Sequence, residues 1–269
     1  MSETNAPVTL TSLRRMKQAG EKFSCLTSYD AAFTRVLDEA GVEVILVGDS
    51  LGMVVQGHAS TVPVTMDDMV YHSRAVAREC QRPLLMVDMP FMAYSSVDQA
   101  LLNAARLMQE GGAQIIKLEG DGVQLEITGE LARRGIPICA HLGLQPQIVH
   151  KMGGYRVQGR EQAAAARMVR DAVALQEAGA DMLLLECVPV ALAAEITAAV
   201  EVPVIGIGAG AETDGQVLVL YDLLGITAGK KPRFVKEFIS EAGSVRGAVE
   251  LYVRSVKRGH FPAKEHWFE

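Results

Sequence analysis

Ionisable residues close most of the short apolar runs in this chain. Asp49, Asp88 and Glu119 each end such a run, and they are separated by 39 and 31 residues. Because that spacing is about one strand–helix unit, three neighbouring parallel strands would bring the three acids together. Converging carboxylate oxygens suit a hard cation such as Mg²⁺, which keeps waters or substrate oxygens as further ligands. Each acid taken alone could instead cap the helix that follows it, or form an ion pair.

Lys117 lies two residues before Glu119, so both side chains point to the same side of a strand. A cation beside a metal-binding acid is a natural partner for a substrate carboxylate. Two alternatives stay open. The lysine could only balance charge, or it could form a Schiff base, although the neighbouring acids would hold its pKa up and its nucleophilicity down.

Glu186 closes an apolar run that begins at residue 182. Such an environment raises a carboxyl pKa and suits a general base, although a buried glutamate held by backbone N–H groups is the alternative. His141 ends another run and is predicted to support the site without touching substrate. Ser28, Ser50 and Gly208 also follow runs; the glycine-rich stretch 206–210 lacks the Lys-Ser/Thr of a P-loop and is a weak signal.

The elements that must position these residues are eight short apolar runs separated by helical patterns. Continuous hydrophobicity over four to six residues predicts strands buried on both faces. Eight strand–helix units in one chain predict a (β/α)₈ TIM barrel of a single domain, 1–269, with a doubly wound open sheet as the main rival. Residues 1–22 are assigned to an N-terminal extension or helix, and 233–269 to an extra C-terminal helix and tail that could pack across a subunit interface. The predicted strands are 23–28, 44–49, 84–88, 115–119, 138–141, 182–186, 204–208 and 223–227.

Composition narrows the class of protein. The chain has 269 residues and a net charge of −6, which argues against a nucleic-acid partner. Its four cysteines are well separated, so neither a metal knuckle nor a CxxC redox pair is predicted. An apolar leader is missing from the first 22 residues, and the apolar stretches are too short to span a membrane. We therefore expect a soluble, cytoplasmic globular protein.

Seven segments closely resemble the ketopantoate hydroxymethyltransferase family, in the same order and at fitting spacing from about residue 9 to the C-terminus. They are VGDSLGM at 47–53, QGH at 56–58, DMPF at 88–91, KLEG at 117–120, HLGL at 141–144, GGYRVQG at 153–159 and LECVP at 185–189.

The resemblance implies a barrel related to the Mg²⁺-dependent phosphoenolpyruvate-binding barrels. It implies transfer of a one-carbon unit from 5,10-methylenetetrahydrofolate to 3-methyl-2-oxobutanoate, which gives ketopantoate for pantothenate and coenzyme A synthesis. By matching motif it makes Asp49, Asp88 and Glu119 the metal site and Glu186 the proton acceptor. Asp49, Ser50, Asp88 and Lys117 become the 2-oxoacid site. It also implies a homodecamer.

Two rival functions remain at this point. The first is a Mg²⁺-dependent lyase or mutase of the phosphoenolpyruvate mutase/isocitrate lyase type, which needs the same acids but no folate. The second is a catalytically silent barrel that serves as a scaffold, against which the concentration of charge at strand ends argues. The glycine-rich stretch 153–159 is a candidate lid over the substrate.

Overall fold

The computed structural model describes residues 6–227, 229 and 231–269. Its eight parallel strands pair in chain order and close into a barrel, β8 against β1, so the open-sheet alternative is wrong. Residues 1–5 of the predicted N-terminal extension lie outside the described part. The strands are β1 Phe23–Thr27, β2 Val44–Val47, β3 Leu84–Asp88, β4 Ile115–Glu119, β5 Ile138–Gly143, β6 Met182–Glu186, β7 Val204–Ile207 and β8 Gly215–Leu218.

Helices surround the barrel and follow most of its strands. They begin where the sequence supplies caps: Thr65 and Asp68 form a reciprocal capping box, and the Ser96 side chain accepts from the Gln99 N–H. The helices are α1 Leu10–Ala19, α2 Ala31–Glu39, α3 Leu51–Val54, α4 Met66–Ala77, α5 Val97–Gln109, α6 Leu125–Ala132, α7 Val149–Met152, α8 Gln162–Ala178, α9 Val190–Ala199, α10 Leu220–Leu223, α11 Ile239–Ala242 and α12 Val245–Lys257.

The prediction of the eighth strand is wrong. Residue 223 ends the short helix α10 and residues 224–227 follow it, whereas the strand that closes the barrel is Gly215–Leu218. Thr213 and Asp214 imitate a helix cap in the sequence, but Asp214 instead pairs with Lys17 of α1 at 2.8 Å and accepts from the Val204 N–H. The polar residues before β8 therefore serve tertiary contacts, which a local pattern does not reveal.

The C-terminal helix α12 follows the true β8 and packs against β1 and α2, where it serves as the eighth helix of the barrel. Its apolar side chains Val249, Tyr252 and Val256 are buried within the chain itself. These three side chains therefore pack within one chain, and packing of the segment 233–269 across a subunit interface stays a prediction. Within the described residues, no helix is both long and apolar enough to cross a membrane.

Tyr252 ties this helix to the closing seam of the barrel. Its hydroxyl lies 3.0 Å from the Cys25 carbonyl of β1 and 2.8 Å from the Gln216 carbonyl of β8. Replacing Tyr252 with phenylalanine should lower the free energy of unfolding by about 1–2 kcal/mol, because two buried carbonyls lose their shared donor. Urea unfolding measures the change. Tyr71→Phe, on a largely exposed residue, is the control and should shift stability by less than about 0.5 kcal/mol.

Candidate active site

The carboxyl ends of β3 and β4 and the residues that follow β2 form a buried polar group, which we call the acidic centre. It consists of Asp49, Asp88, Lys117 and Glu119, each at most 4% exposed. The strand register places Asp88 beside Lys117, and the same barrel edge brings Asp49 next to them. The sequence prediction that these four side chains converge is thus matched by their positions.

Asp88 makes the two direct contacts at the middle of the centre. Its Oδ1 lies 2.9 Å from Lys117 Nζ, and its Oδ2 accepts from the Asp49 backbone N–H at 3.0 Å. Oδ1 thus forms an ion pair with the lysine ammonium, and Oδ2 accepts a hydrogen bond from a backbone amide. Asp88 consequently orients Lys117 and the backbone of Asp49 at once.

Gln147 is a member of the site that the sequence reasoning missed. Its Nε2 donates to Asp49 Oδ2 and to the Met89 carbonyl, both at 2.9 Å, and its backbone N–H donates to Glu119 Oε2 at 3.0 Å. The Tyr94 hydroxyl donates to Gln147 Oε1 at 2.5 Å. One glutamine therefore positions two acids of the centre. It lies in the loop after β5, and its position beyond a strand's carboxyl end was the only available signal.

Negative charge exceeds positive charge in this buried centre. Burial, together with the charge of Asp88, raises the pKa of Asp49 to about 7. Burial and Asp49 likewise raise the pKa of Glu119 well above its ordinary value. Burial alone would lower the pKa of Lys117, but the charges of Asp88, Glu119 and Asp49 outweigh it and raise that pKa. The lysine therefore stays charged, and the surplus negative charge calls for a further cation or for protons.

His141 connects the acidic centre to Glu186. Its Nδ1 lies 3.2 Å from Lys117 Nζ, and its Nε2 lies 3.4 Å from Glu186 Oε2. Burial and the charge of Lys117 lower the pKa of His141 well below its ordinary value, so the imidazole is neutral. Since the lysine ammonium can only donate, Nδ1 is the acceptor and the ring proton sits on Nε2, facing Glu186. His141 thus lies between Lys117 and Glu186, and its supporting role without contact to substrate stays a prediction.

Glu186 is the most accessible carboxyl group of the site. Its side chain is 15% exposed, against 2% for His141. Burial raises its pKa to about 7, and the charge of Lys117 only partly offsets this. A carboxyl group that changes protonation near neutral pH and can be reached by a ligand is suited to proton transfer from carbon.

The backbone around Glu186 is held in an unusual conformation. Cys187, the next residue, has φ +49°, which is uncommon for a residue other than glycine. Opposite it, Gly143 has φ +95°, and a Cβ there would lie 2.2 Å from the Glu186 carbonyl oxygen. The carbonyl is already used by the Leu144 N–H at 2.8 Å. Strain next to a reactive group of this kind fixes where the side chain points.

The remaining sequence candidates divide into two groups. Ser50 belongs to the site: its Oγ lies 2.9 Å from the buried Tyr29 hydroxyl, next to Asp49. Ser28 is instead engaged by Thr34 at 2.9 Å, and Gly208 packs against Phe234 and Phe268, so both are structural. In the candidate lid, the Tyr155 hydroxyl contacts Met53 Sδ at 3.4 Å; closure of this segment stays a prediction.

The donor set fits a hard divalent cation. Asp49, Asp88 and Glu119 supply only oxygen, which is the donor type Mg²⁺ prefers, and one lysine leaves them short of positive charge. Among the described residues, however, no three His, Cys, Asp or Glu side chains stand in the arrangement of a complete metal site. A Mg²⁺ site does not require three protein ligands, because the ion commonly binds one or two carboxylates and completes its coordination with water and substrate oxygens.

A closed parallel barrel that holds such a centre at the carboxyl ends of its strands defines a (β/α)₈-barrel enzyme. Solved barrels of low identity share the fold. Oxaloacetate acetylhydrolase has a TM-score of 0.61 at 15% identity, over 95% of this chain and 99% of that one. A 2,3-dimethylmalate lyase, described as a phosphoenolpyruvate mutase/isocitrate lyase superfamily member, has a TM-score of 0.53 at 18% identity, over 78% and 80%.

The family model of ketopantoate hydroxymethyltransferase matches residues 7–264. Curated relatives named 3-methyl-2-oxobutanoate hydroxymethyltransferase are 59% identical in Alkalilimnicola ehrlichii, over 99% of this chain and 96% of the relative, and 59% identical in Marinobacter nauticus, over 97% and 99%. The chain belongs to the ketopantoate hydroxymethyltransferase family, and it is a hydroxymethyltransferase. The family match does not favour the alternative function, a lyase or mutase, because this chain resembles the solved lyases and mutases in fold alone.

Proposed function

We propose that this enzyme transfers a hydroxymethyl group from 5,10-methylenetetrahydrofolate to 3-methyl-2-oxobutanoate and so forms ketopantoate for pantothenate synthesis. Family membership supports the acceptor and the product. The separation of an accessible carboxyl, Glu186, from the acidic centre supports the chemistry. Enolisation of a 2-oxoacid needs one place for the oxygens and another for the base.

Glu186 is the proposed base, and its placement is the observation that carries the proposal. In the part of the chain that the structure describes, His141 stands between it and Lys117 of the acidic centre, which keeps its carboxylate apart from the oxygens of Asp49 and Asp88. Its pKa of about 7 means that the carboxylate is present at neutral pH and still basic enough to take a proton from carbon. Lys117 is the charge that favours its ionised form, and His141 Nε2 lies 3.4 Å from one of its oxygens.

Asp49 and Asp88, with Glu119 beside them, are the proposed holders of Mg²⁺. When bound, the metal supplies Lewis-acid polarisation of the substrate's keto group and stabilises the negative charge of the enolate. Gln147 and the Asp49 backbone N–H keep these acids oriented. Lys117 Nζ lies 2.9 Å from Asp88 Oδ1 and 3.2 Å from His141 Nδ1, and its ammonium is the proposed partner of the substrate carboxylate. Ser50 lines the same 2-oxoacid site.

The proposed reaction begins when Glu186 takes the C3 proton and becomes a carboxylic acid. The electron pair of the broken C–H bond makes C3 nucleophilic, and C3 bonds to the methylene carbon of the folate. Both bonds from that carbon to the folate nitrogens break, one as the bond to C3 forms and the other as water adds. One nitrogen receives the proton that Glu186 took from C3, which regenerates the base, and the other receives a proton from water. Water supplies the hydroxyl oxygen, because the donated carbon carries none. The balance is one water consumed and tetrahydrofolate released.

Exchange of the C3 proton of 3-methyl-2-oxobutanoate into deuterated water tests the proposal by NMR. We expect exchange with Mg²⁺ and its loss with EDTA, and full turnover to require methylenetetrahydrofolate. Exchange is measured again with tetrahydrofolate present, in case the donor must bind first. A protein that exchanges the proton under none of these conditions does not enolise this acid, and the proposal fails.

Replacing Gln147 with leucine should weaken Mg²⁺ binding by about 10- to 100-fold. Leucine keeps the backbone N–H to Glu119 but removes the donor that holds Asp49 Oδ2. The shift of the melting temperature across a Mg²⁺ titration gives the affinity directly. Gln81→Leu, on an exposed residue, is the control. An unchanged affinity in the Gln147 variant would show that this glutamine does not position a metal ligand.

We further propose a single-domain enzyme of the cytoplasm that works as a homo-oligomer, a decamer by family resemblance, with small molecules as its partners and neither nucleic acid nor membrane. The net charge of −6 and the separated cysteines support this setting. Light scattering coupled to size exclusion gives the subunit number, and a monomer mass would contradict the oligomer.

A further inference from the structure

A cavity of about 410 Å³ adjoins the acidic centre on one side of the barrel mouth. Its inner end is lined by Glu119 and Gln147, which belong to the site already described. It runs outward between the loops that follow β3, β4 and β5 and reaches helix α8 at Arg167 and Asp171. Its volume lies in the range of small-molecule sites. A second reactant placed here would have one end next to the acidic centre.

The walls of the cavity combine aromatic and methionine side chains with hydrogen-bond acceptors. Phe91, Met152 and Met168 supply the apolar part, and such side chains adapt to the faces of a ring system. Asp121, in the loop after β4, and Asp171, on helix α8, supply carboxylates. Burial and the nearby charge of Asp121 raise the pKa of Asp171, so this pair gains from a ligand that donates hydrogen bonds.

Gln124 adds a second, independent observation. Its side chain packs against Gly120, where a Cβ would lie 2.2 Å from the Gln124 Cγ. Its Oε1 is buried and finds no hydrogen-bond partner among the described residues, although the residue lines the cavity. A buried acceptor without a donor is costly, which a bound N–H group would relieve.

Cations complete the cavity at its outer part. Lys151 and Arg167 are the two basic residues in its lining within the described chain, and Arg167 is exposed. The cavity therefore offers acceptors and apolar walls for a nitrogen-rich ring with N–H donors, and positive charge for an anionic tail. Tetrahydrofolate has this combination: a reduced pteridine with amino and ring N–H groups, an aromatic linker and a glutamate tail.

We propose that this cavity binds the folate co-substrate, with the pteridine N–H groups toward Asp121, Asp171 and Gln124 and the glutamate carboxylates toward Lys151 and Arg167. The proposal rests on the proposed function, because it takes the one-carbon donor from there. It adds the residues that hold the donor and the side of the acidic centre from which the donor reaches C3.

Two variants test the site by different means. Ala164→Phe fills the cavity from α8, and Asp171→Asn removes a charged acceptor. The matched controls on the same helix are Ala163→Phe and Glu177→Gln, both on exposed residues that do not line the cavity. Melting temperatures confirm that each variant is folded. The probe is 5-formyltetrahydrofolate, whose binding is measured by calorimetry.

We expect both cavity variants to bind the probe roughly tenfold more weakly or worse, and to raise the KM for methylenetetrahydrofolate similarly. The controls should match the wild type. C3 proton exchange, which needs no carbon from the donor, should stay within about twofold of the wild type, since neither residue contacts the acidic centre.

The possible failures are distinguishable. Wild-type probe affinity in both cavity variants would overturn the cavity as the folate site and leave the proposed function standing. A wild-type enzyme that exchanges the C3 proton but binds no folate probe would overturn both the donor and this site. Absence of exchange in the wild type, with and without tetrahydrofolate, would overturn the proposed function itself.

Discussion

Replacing Glu186 with glutamine is expected to slow C3 proton exchange from 3-methyl-2-oxobutanoate by about 10²- to 10⁴-fold, the usual contribution of a positioned base. Glutamine keeps the size and the shape of the side chain but has no basic oxygen. The acids of the centre keep their partners, since Glu186 contacts them only through His141. Binding of Mg²⁺ and of the 2-oxoacid should therefore be nearly unchanged, and the loss should fall on the exchange rate at saturation.

The pH dependence of the wild-type enzyme gives the same prediction a second readout. Burial raises the pKa of Glu186 to about 7, so the carboxylate dominates above pH 7 and the acid below it. A base must be deprotonated to act, so at saturating Mg²⁺, which keeps the carboxylate of Asp49 ionised, the exchange rate should fall about tenfold for each unit below pH 7 and level off above it. Glu201→Gln, far from the site and exposed, is the control for the substitution. Undiminished exchange in Glu186→Gln would exclude Glu186 as the base.

The convergence of Asp49, Asp88 and Glu119 could be predicted because each ends a continuous apolar run, and that of Lys117 because it lies two residues before Glu119, on the same side of the strand. In a parallel barrel the strand register places neighbouring strand ends side by side, and this placement does not depend on the length of the helices between the strands. The bounds of β3, β4 and β6 agree with the predicted runs for the same reason. Local pattern and overall architecture coincide in this part of the chain.

The eighth strand could not be placed in this way. Gly215 and Gln216 lack the apolar, β-branched character of a buried strand, and they are accommodated by contacts distant in sequence. Gly215 leaves room for Phe23 of β1, whose ring a Cβ would approach to 2.5 Å, and the Gln216 amide is satisfied by the Gly210 carbonyl and the Thr213 hydroxyl. Such compensation exists only after the barrel has closed.

Gln147 and Tyr94 escaped prediction for a related reason. Both lie in loops after strands, where periodicity carries no information, and neither residue type is a usual metal ligand or base. Their importance comes from hydrogen bonds across the barrel mouth: Tyr94 to Gln147, and Gln147 to Asp49. Sequence spacing identifies the residues that carry charge, whereas the residues that orient them become visible only in three dimensions.

Replacing Asp88 with asparagine should have the second large effect, on both stability and metal binding. In the wild type one carboxylate oxygen faces the Lys117 ammonium and the other accepts from the Asp49 N–H. An amide offers one acceptor and one donor, so either orientation leaves two donors facing each other. Because Lys117 is buried, loss of its main partner should cost about 3 kcal/mol of the free energy of unfolding.

The same variant should lose a ligand of the proposed metal site. We expect at least about a 100-fold weaker Mg²⁺ affinity, more than an outer partner contributes, and a melting temperature that no longer rises with Mg²⁺. Asp98→Asn, on the exposed first turn of α5, is the control. The two effects separate the possible roles of Asp88. A destabilised variant that still gains wild-type stability from Mg²⁺ would mean that Asp88 only orients Lys117 and the Asp49 backbone, and that Asp49 and Glu119 hold the metal without it.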